Sequence, residues 1–237
     1  MAKPTPTSIR TPRLLLRQMN PEQDATDIFG LMQKPEVMKY TTRPVATELD
    51  EAVTHLQQRS GPGVFSFAVT LLSDTAADNA SNGANEEQLK NKDQRNGKVI
   101  GLMGCAHELG TLGYKFNSDY GKQGYATEAL LAFLPKLFEI MPSSLSMSES
   151  AEDIVNGQPP MDYIQAHVDV ENQPSMKLLE RAGFSRGEVT KGAYTSGTLG
   201  LRDAVTYRLP RPGMRLEDVV DSLKKTEEAG PPVPDLM

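Results

Sequence analysis

The segment Thr111–Phe133, TLGYKFNSDYGKQGYATEALLAF, constrains this chain more than any other. A strand-like run, TLGYKFN (Thr111–Asn117), enters a turn holding Gly121 and Gly124, and a helical pattern opens at Ala126 or Thr127. Such a junction aims the unpaired N–H groups of the first helical turn, and the positive end of the helix dipole, at one spot. Glycines there let an anion approach the main chain closely. Lys122 adds a positive charge and Thr127 a hydroxyl that can cap the helix or touch a phosphate. The local pattern is equally compatible with a plain strand-to-helix turn whose glycines only relieve crowding.

Two phosphate-binding fingerprints are not met. A Walker A loop needs Gly, four residues, then Gly-Lys-Ser/Thr; here Gly121-Lys122 is followed by Gln123, and Phe116 stands five residues before Gly121. The dinucleotide pattern G-x-G-x-x-G also fails, because Gly121 and Gly124 have no further glycine in register. Neither a P-loop ATPase nor a Rossmann dehydrogenase is supported.

Around this junction the chain is patterned. Strands are predicted at Arg13–Met19, Val64–Leu72, Lys98–Ala106, Thr111–Asn117, Tyr163–Val170 and Ala204–Leu209. Helices are predicted at Asp24–Met32, with Ile28, Leu31 and Met32 on one face, and at Glu48–Gln58, with Ala52, Val53 and Leu56. Two more follow, Thr127–Ile140, where Pro135 predicts a kink, and Pro174–Ala182, with Asn172 as N-cap and Gly183 as stop. Strands alternating with single helices in the second half imply a mixed sheet with crossovers, an α/β fold.

Three stretches break the pattern. Ser73–Gly97 holds one large apolar residue, Leu89, in 25 positions and reads as a flexible insertion between adjacent strands. Ser143–Pro160 is a second low-complexity insertion, and a tail over 211–237 holds one short amphipathic run, MRLEDVVDSLKK. These stretches set the charge. Ser73–Gly97 has five acids and three bases, Ser143–Pro160 three acids and no base, and Gly213–Met237 six acids and three bases, so against a net −6 the patterned body is left at +2. A body so weakly basic excludes a general nucleic-acid binder, whose affinity comes from displacing counterions along the phosphates. It suits a small ligand with several phosphate charges.

Cys105, the single cysteine, can form no intramolecular disulfide and lies in an apolar run, which reads as core in a reducing compartment. No metal-ligand spacing occurs. No apolar run approaches the ~20 residues that cross a bilayer, and MAKPTPTSIRTPR has no apolar stretch after its charges. The expectation is a soluble, cytoplasmic protein with a short frayed leader, no membrane or nucleic-acid partner, and no metal.

The ordered blocks resemble the GNAT superfamily of acetyl-CoA-dependent N-acetyltransferases, and within it the branch of the ribosomal-protein N-terminal acetyltransferases. TPRLLLR is similar to that branch's opening strand, KVIGLMG to its central strand and LGYKFNSDYGKQGYATEAL to its acyl-CoA motif. YIQAHVDVENQPSMKLLERAGF is similar to its next strand and helix, through Asn172, Ser175, Glu180, Arg181, Gly183 and Phe184, and LRDAVTYRL to its closing strand. The resemblance spans Thr11–Leu209 and implies one three-layer domain over 11–210, a central mixed, mostly antiparallel sheet flanked by helices.

It also implies a cosubstrate, acetyl-CoA, and an amine acceptor that is a small molecule or a protein N-terminus. The pyrophosphate would lie on the turn of Gly121, Lys122, Gln123, Gly124, Tyr125, Ala126 and Thr127, and the pantetheine along Phe116 and Asn117. Asn172 and Ser175 would stand at the thioester end. The loop is one residue longer between Tyr120 and Gly124 than the usual pattern of the branch, and Leu179 stands where many relatives in the superfamily place a tyrosine acid. Ser175 is thus the candidate general acid. No base is assigned: Glu108 and Asp203 read as turn or solvated residues, and His107 and His167 are poorer candidates. His167 should face away from Ala166 and Val168. A catalytically silent acyl-CoA-binding module, or an interaction scaffold, on the same fold is the alternative. Oligomeric state and acceptor identity stay open.

Overall fold

Asn20 starts the first helix, α1 (Pro21–Met32): its side chain accepts from the N–H groups of Glu22 and Gln23, and Pro21 supplies a ready-made first helical residue. Ala25, Ile28, Leu31 and Met32 form its buried face. A short helix, α2 (Pro35–Met38), follows, and α3 (Leu49–Gln58) opens with a capping box between Glu48 and Glu51. These helices cover one face of the sheet, where Ile28, Leu31, Met38, Ala52 and Leu56 pack with Ala68, Val99 and Leu102.

The computed structural model describes residues 8–59, 65–72, 97–106, 110–140 and 162–218. Its strands are β1 (Ser8–Arg10), β2 (Leu14–Gln18), β3 (Phe65–Leu71), β4 (Val99–Ala106), β5 (Thr111–Phe116), β6 (Tyr163–Asp169), β7 (Ser185–Ser196) and β8 (Gly200–Pro210). They form one sheet in the order β1-β2-β3-β4-β5-β6-β8-β7. Every neighbouring pair is antiparallel except β5 and β6, which are parallel and joined through helix α4 (Tyr125–Ile140). Helix α5 (Gln173–Arg181) follows β6, and α4 and α5 pack on the sheet's second face with Phe67, Ile100, Leu112, Ile164 and Tyr207. The result is three layers around a mixed, mostly antiparallel sheet.

The six predicted strands and four predicted helices are present with shifted ends. The strands β1 and β7 and the helix α2 were not predicted. Helix α4 runs unbroken through Pro135. Pro135 and Leu131 are both exposed, so the carbonyl that loses its partner to the proline faces solvent, where water satisfies it. A register shift between Val69 and Thr70 in the β3–β4 pairing re-aims β4, which puts Val99 and Leu102 on the α1–α3 face and Ile100, Met103 and Cys105 on the other. The predicted insertions, apart from Gly97, lie outside the described residues, as does the tail run beyond a helical turn at Leu216–Asp218.

Candidate active site

Strands β5 and β6 share one paired position, Thr111 with Gln165, where the Gln165 N–H donates to the Gly110 carbonyl at 2.9 Å. Beyond it the two strands part. The Asn117 N–H bonds the Ile100 carbonyl at 2.8 Å, and opposed residues of an antiparallel ladder alternate between bonded and unbonded pairs. Lys115 and Gly113 therefore bond β4 with Asn117, whereas Tyr114 and Phe116 turn their main-chain groups to the cleft. The remaining main-chain group of Asn117 is also engaged: its carbonyl accepts from Tyr120 N–H, and its side-chain Oδ1 accepts from Asp119 N–H. The free edge of β5 is thus Tyr114 and Phe116, and Asn117, expected to share it, is instead a buried turn residue.

Past Asn117 a single 3-10 turn (Ser118–Tyr120) leads to the glycine turn. The Gly121 N–H is engaged with the Ser118 carbonyl at 2.9 Å, so it is not among the free donors. Lys122 takes φ 61° and Gly124 φ 82°. The left-handed conformation costs a side-chain-bearing residue roughly 1–2 kcal/mol, so the turn holds Lys122 with strain. The first intrahelical bond of α4 runs from Glu128 N–H to the Gly124 carbonyl. Among the described residues no acceptor is bonded to the N–H groups of Gln123, Gly124, Tyr125, Ala126 or Thr127, which leaves a cluster of donors at the helix start.

This turn is latched to the opening strands. Glu128 accepts from the Thr11 hydroxyl at 2.6 Å, the Arg13 N–H at 3.0 Å and the Arg13 Nε at 2.6 Å. The Arg13 Nη1 reaches the Gln123 carbonyl at 2.9 Å, and the guanidinium lies 4.6 Å above the Tyr125 ring. Burial would raise the Glu128 carboxyl, but the hydrogen bonds from Thr11 and Arg13 and the charge of Arg13 outweigh it and hold the group below the usual carboxylate range. A strand corner 110 residues and more away thereby fixes the path of the turn.

On the far side of the cleft, Asn172 caps α5: its side chain accepts from the Ser175 N–H at 3.2 Å. Ser175, in the first turn, places its Oγ 2.5 Å from the Tyr114 hydroxyl across the opening between the strands. Burial pushes the Tyr114 phenol up to about 12, against the lowering effect of the Ser175 bond, so at neutral pH this hydroxyl keeps its proton. Leu179 is fully buried and offers no acid.

A cavity of about 260 Å³ opens between the diverging strands. Its floor is β5 and β6, with Tyr114 and Lys115, and the start of α5, with Asn172 and Ser175; its other wall is the segment 40–43 and the end of α3, with Arg43, His55 and Arg59. Leu112, Tyr114 and Phe116 pack on the α4–α5 side, so Lys115 points to the α3 side. Burial, then the charges of Arg59 and Arg43, push the Lys115 ammonium down to about 7. Asp169 also borders the cavity, but its carboxylate is held by Arg202 at 2.9 and 3.1 Å, the Tyr194 hydroxyl at 2.8 Å and the Glu171 N–H at 2.8 Å. The β7–β8 hairpin closes this end, where the Gly197 N–H meets the Thr41 carbonyl at 2.9 Å and a side chain at Gly197 would collide with the Arg43 main chain.

The order of these elements, a splayed parallel pair flanked by a donor-rich helix start, finds its counterpart in a family model: residues 13–185 match the acetyltransferase (GNAT) domain. The chain belongs to the GNAT acetyltransferase family. Solved GNAT structures share the fold at low sequence identity. An acetyltransferase of the GNAT family from Bacillus anthracis superposes with TM-score 0.61 at 21% identity, covering 86% of this chain and 98% of its own. A ribosomal-protein-S5-alanine acetyltransferase from Vibrio fischeri gives TM-score 0.57 at 13% identity, covering 89% and 100%. The ribosomal L7/L12 α-N-protein acetyltransferase solved with coenzyme A gives 0.56 at 15%, covering 87% and 97%. No curated protein matches this GNAT chain in sequence.

Of the residues singled out from sequence, Phe116, Lys122, Gln123, Gly124, Tyr125, Ala126 and Thr127 lie along the strand edge and helix start, and Asn172 and Ser175 across the cleft. His167 is exposed opposite Ala166 and Val168, with its Nδ1 3.1 Å from the Thr206 hydroxyl. Cys105 is buried, and burial pushes its thiol up to about 12. Asp203 accepts from the Gly192 N–H within the hairpin, and His107 and Glu108 lie outside the described residues. Sequence reasoning missed Tyr114, Lys115, Arg43, His55, Arg59 and the Arg13–Glu128 latch. Among the described residues no group of three or more His, Cys, Asp or Glu could hold a metal ion, and no helix is long and apolar enough to cross a membrane.

Proposed function

We propose that this GNAT chain is an N-acetyltransferase that moves an acetyl group from acetyl-CoA to a primary amine by direct attack, both substrates being bound together, within residues 11–210. The observation that carries the reading is the parting of β5 from β6 beyond Thr111 and Gln165. It leaves an unpaired strand edge that leads into a helix start with free N–H donors.

These groups suit coenzyme A. Amides of Gln123 to Thr127 offer the pyrophosphate several donors at the positive end of α4, and Gly124, whose positive φ favours glycine, places no side chain in the approach. Lys122 adds its charge, while Gly121 and Asn117 shape the turn through their own hydrogen bonds. Tyr114 and Phe116 offer the pantetheine amides the pairing that β6 does not, and the Asn172 amide group completes the wall.

When bound, acetyl-CoA supplies the acetyl group as a thioester, activated toward an amine. The main-chain N–H groups of the β5 edge steady the carbonyl oxygen as it gains negative charge. The new C–N bond forms as the C–S bond breaks; Ser175 Oγ gives its proton to the departing sulfur and is resupplied by the Tyr114 hydroxyl, while a cleft water takes the ammonium proton and solvent returns one to Tyr114, so both hydroxyls end protonated. Holding both reactants in one cleft supplies the proximity that direct transfer requires.

The test is thiol release from acetyl-CoA across a panel of small amines, amino acids, polyamines and peptides, alongside calorimetry with coenzyme A. Binding with amine-dependent release supports the reading. Binding with no release on any acceptor favours a silent acyl-CoA-binding module, for which the buried Leu179 at the superfamily's tyrosine position is the motive.

A further inference from the structure

Among the described residues the α3 side of the cavity is lined by cations and by no carboxylate. Arg43, His55, Arg59 and Lys115 converge there from the segment before α3, from α3 and its C-cap, and from β5. Among the described residues neither the Arg59 nor the Lys115 side chain has an ion pair or a hydrogen bond, and the Arg43 guanidinium is bonded to a neutral group, the Gln58 side-chain carbonyl at 2.5 Å. The one carboxylate on the wall among the described residues, Asp169, is already neutralised by Arg202. His55 is the sharpest sign. Only 2% of it is exposed, and both ring nitrogens are buried without a hydrogen-bond partner.

Buried polar atoms in native proteins are nearly always hydrogen bonded, so an orphaned imidazole on a cavity wall marks a place where a partner is expected. Burial, with the charges of Lys115, Arg59 and Arg43 added, pushes His55 down to about 2, so the ring is neutral and has one N–H to donate and one nitrogen to accept. Like charges gathered in a partly dry site repel one another, and a ligand anion removes that cost while making charge-assisted hydrogen bonds.

We propose that this wall is an anion subsite for the acceptor: the substrate is a small primary amine that also carries a carboxylate or phosphate, held by Lys115 and Arg59 with Arg43 and His55 behind. This rests on the acetyltransferase reading for the fate of the amine, though not for the binding of the anion. The anion lies toward α3 while the amine reaches the β5–β6 opening beside Ser175 and Tyr114. A cavity of about 260 Å³ is smaller than the drug-sized sites of roughly 300–1,000 Å³, which suits an acceptor of amino-acid size.

The experiment compares kcat/KM for matched acceptors in the full chain: β-alanine against its amide, and phosphoethanolamine against ethanolamine. Wild type should prefer an anionic member by about tenfold or more, and the pair that shows the larger ratio separates carboxylate from phosphate. In Lys115→Met and Arg59→Gln, each checked for folding by circular dichroism, the ratio should collapse toward one. Equal use of both members by wild type, or a ratio unchanged in both variants, overturns the proposal. If coenzyme A binds but no acceptor is turned over, the transfer reading fails separately. Calorimetric titration of β-alanine and inorganic phosphate into the coenzyme A complex then decides: binding that Lys115→Met abolishes upholds the subsite, and no binding overturns it.

Discussion

The Tyr114 hydroxyl and the Ser175 Oγ stand 2.5 Å apart, one from the strand at the cleft edge and the other from the first turn of α5. They join the two walls at the point where the strands have parted. Either oxygen can donate, so the pair can pass a proton outward from Ser175 and refill it from Tyr114.

Ser175→Ala should lower kcat by about 10²-fold, the lower end of what a positioned acid contributes, with coenzyme A affinity changed less than about threefold. Tyr114→Phe should lower kcat in the same direction. Residues that act as a unit are not additive, so the double variant should be no slower than the worse single one. Full activity in Ser175→Ala, measured by steady-state thiol release, would put the acid elsewhere.

Gly124→Glu should weaken coenzyme A binding by more than about tenfold in calorimetry. At φ 82° a side chain is strained, and the new carboxylate would enter the phosphate approach beside Arg13 Nη2, 3.4 Å from a Cβ built there. Gly124→Ala separates the two effects, since it adds the strain without the charge.

Arg13→Ala removes the latch that ties the glycine turn to β2 through Glu128 and Gln123. Half-exposed ion pairs contribute about 1 kcal/mol at most, which in a protein of this size corresponds to a melting temperature lower by about 2–4 °C. Coenzyme A affinity should also fall, by roughly threefold to tenfold, since the donors lose their fixed path. An affinity equal to wild type with the lower melting temperature would make the latch purely structural.

Lys115 predicts a pH dependence. Its folded value, about 7, lies below the ordinary 10.5, so between these pH values the unfolded chain binds the extra proton. Stability therefore rises with pH across that window, and the cost of the buried charge is fully present below pH 7. The melting temperature of the ligand-free protein should gain more between pH 7 and pH 9 than that of Lys115→Met. Parallel curves for the two proteins would contradict the burial of a charged Lys115.

Elements with apolar periodicity were legible in the sequence: Ile28, Leu31 and Met32 mark the buried face of α1, and the glycine turn and Asn172 cap mark the starts of α4 and α5. Strand β7 was not, because it is an edge strand with its first eight residues exposed and carries no alternation to read. Strand β1, at three residues, is too short for any pattern. The cationic wall was hidden for a different reason. Lys115 is far in sequence from Arg43, His55 and Arg59, and a charge on a helix or strand reads as a solvated face until the topology folds α3 over β5. The engagement of Asn117 and Gly121 was equally hidden, since it depends on the register with β4 and on the 3-10 turn.

Initial rates of thiol release, measured while acetyl-CoA and an accepted amine are both varied, test the central claim most directly. The account predicts release that requires the amine and double-reciprocal lines that intersect, the signature of attack within a ternary complex. Parallel lines, or release that does not depend on the amine, would contradict it.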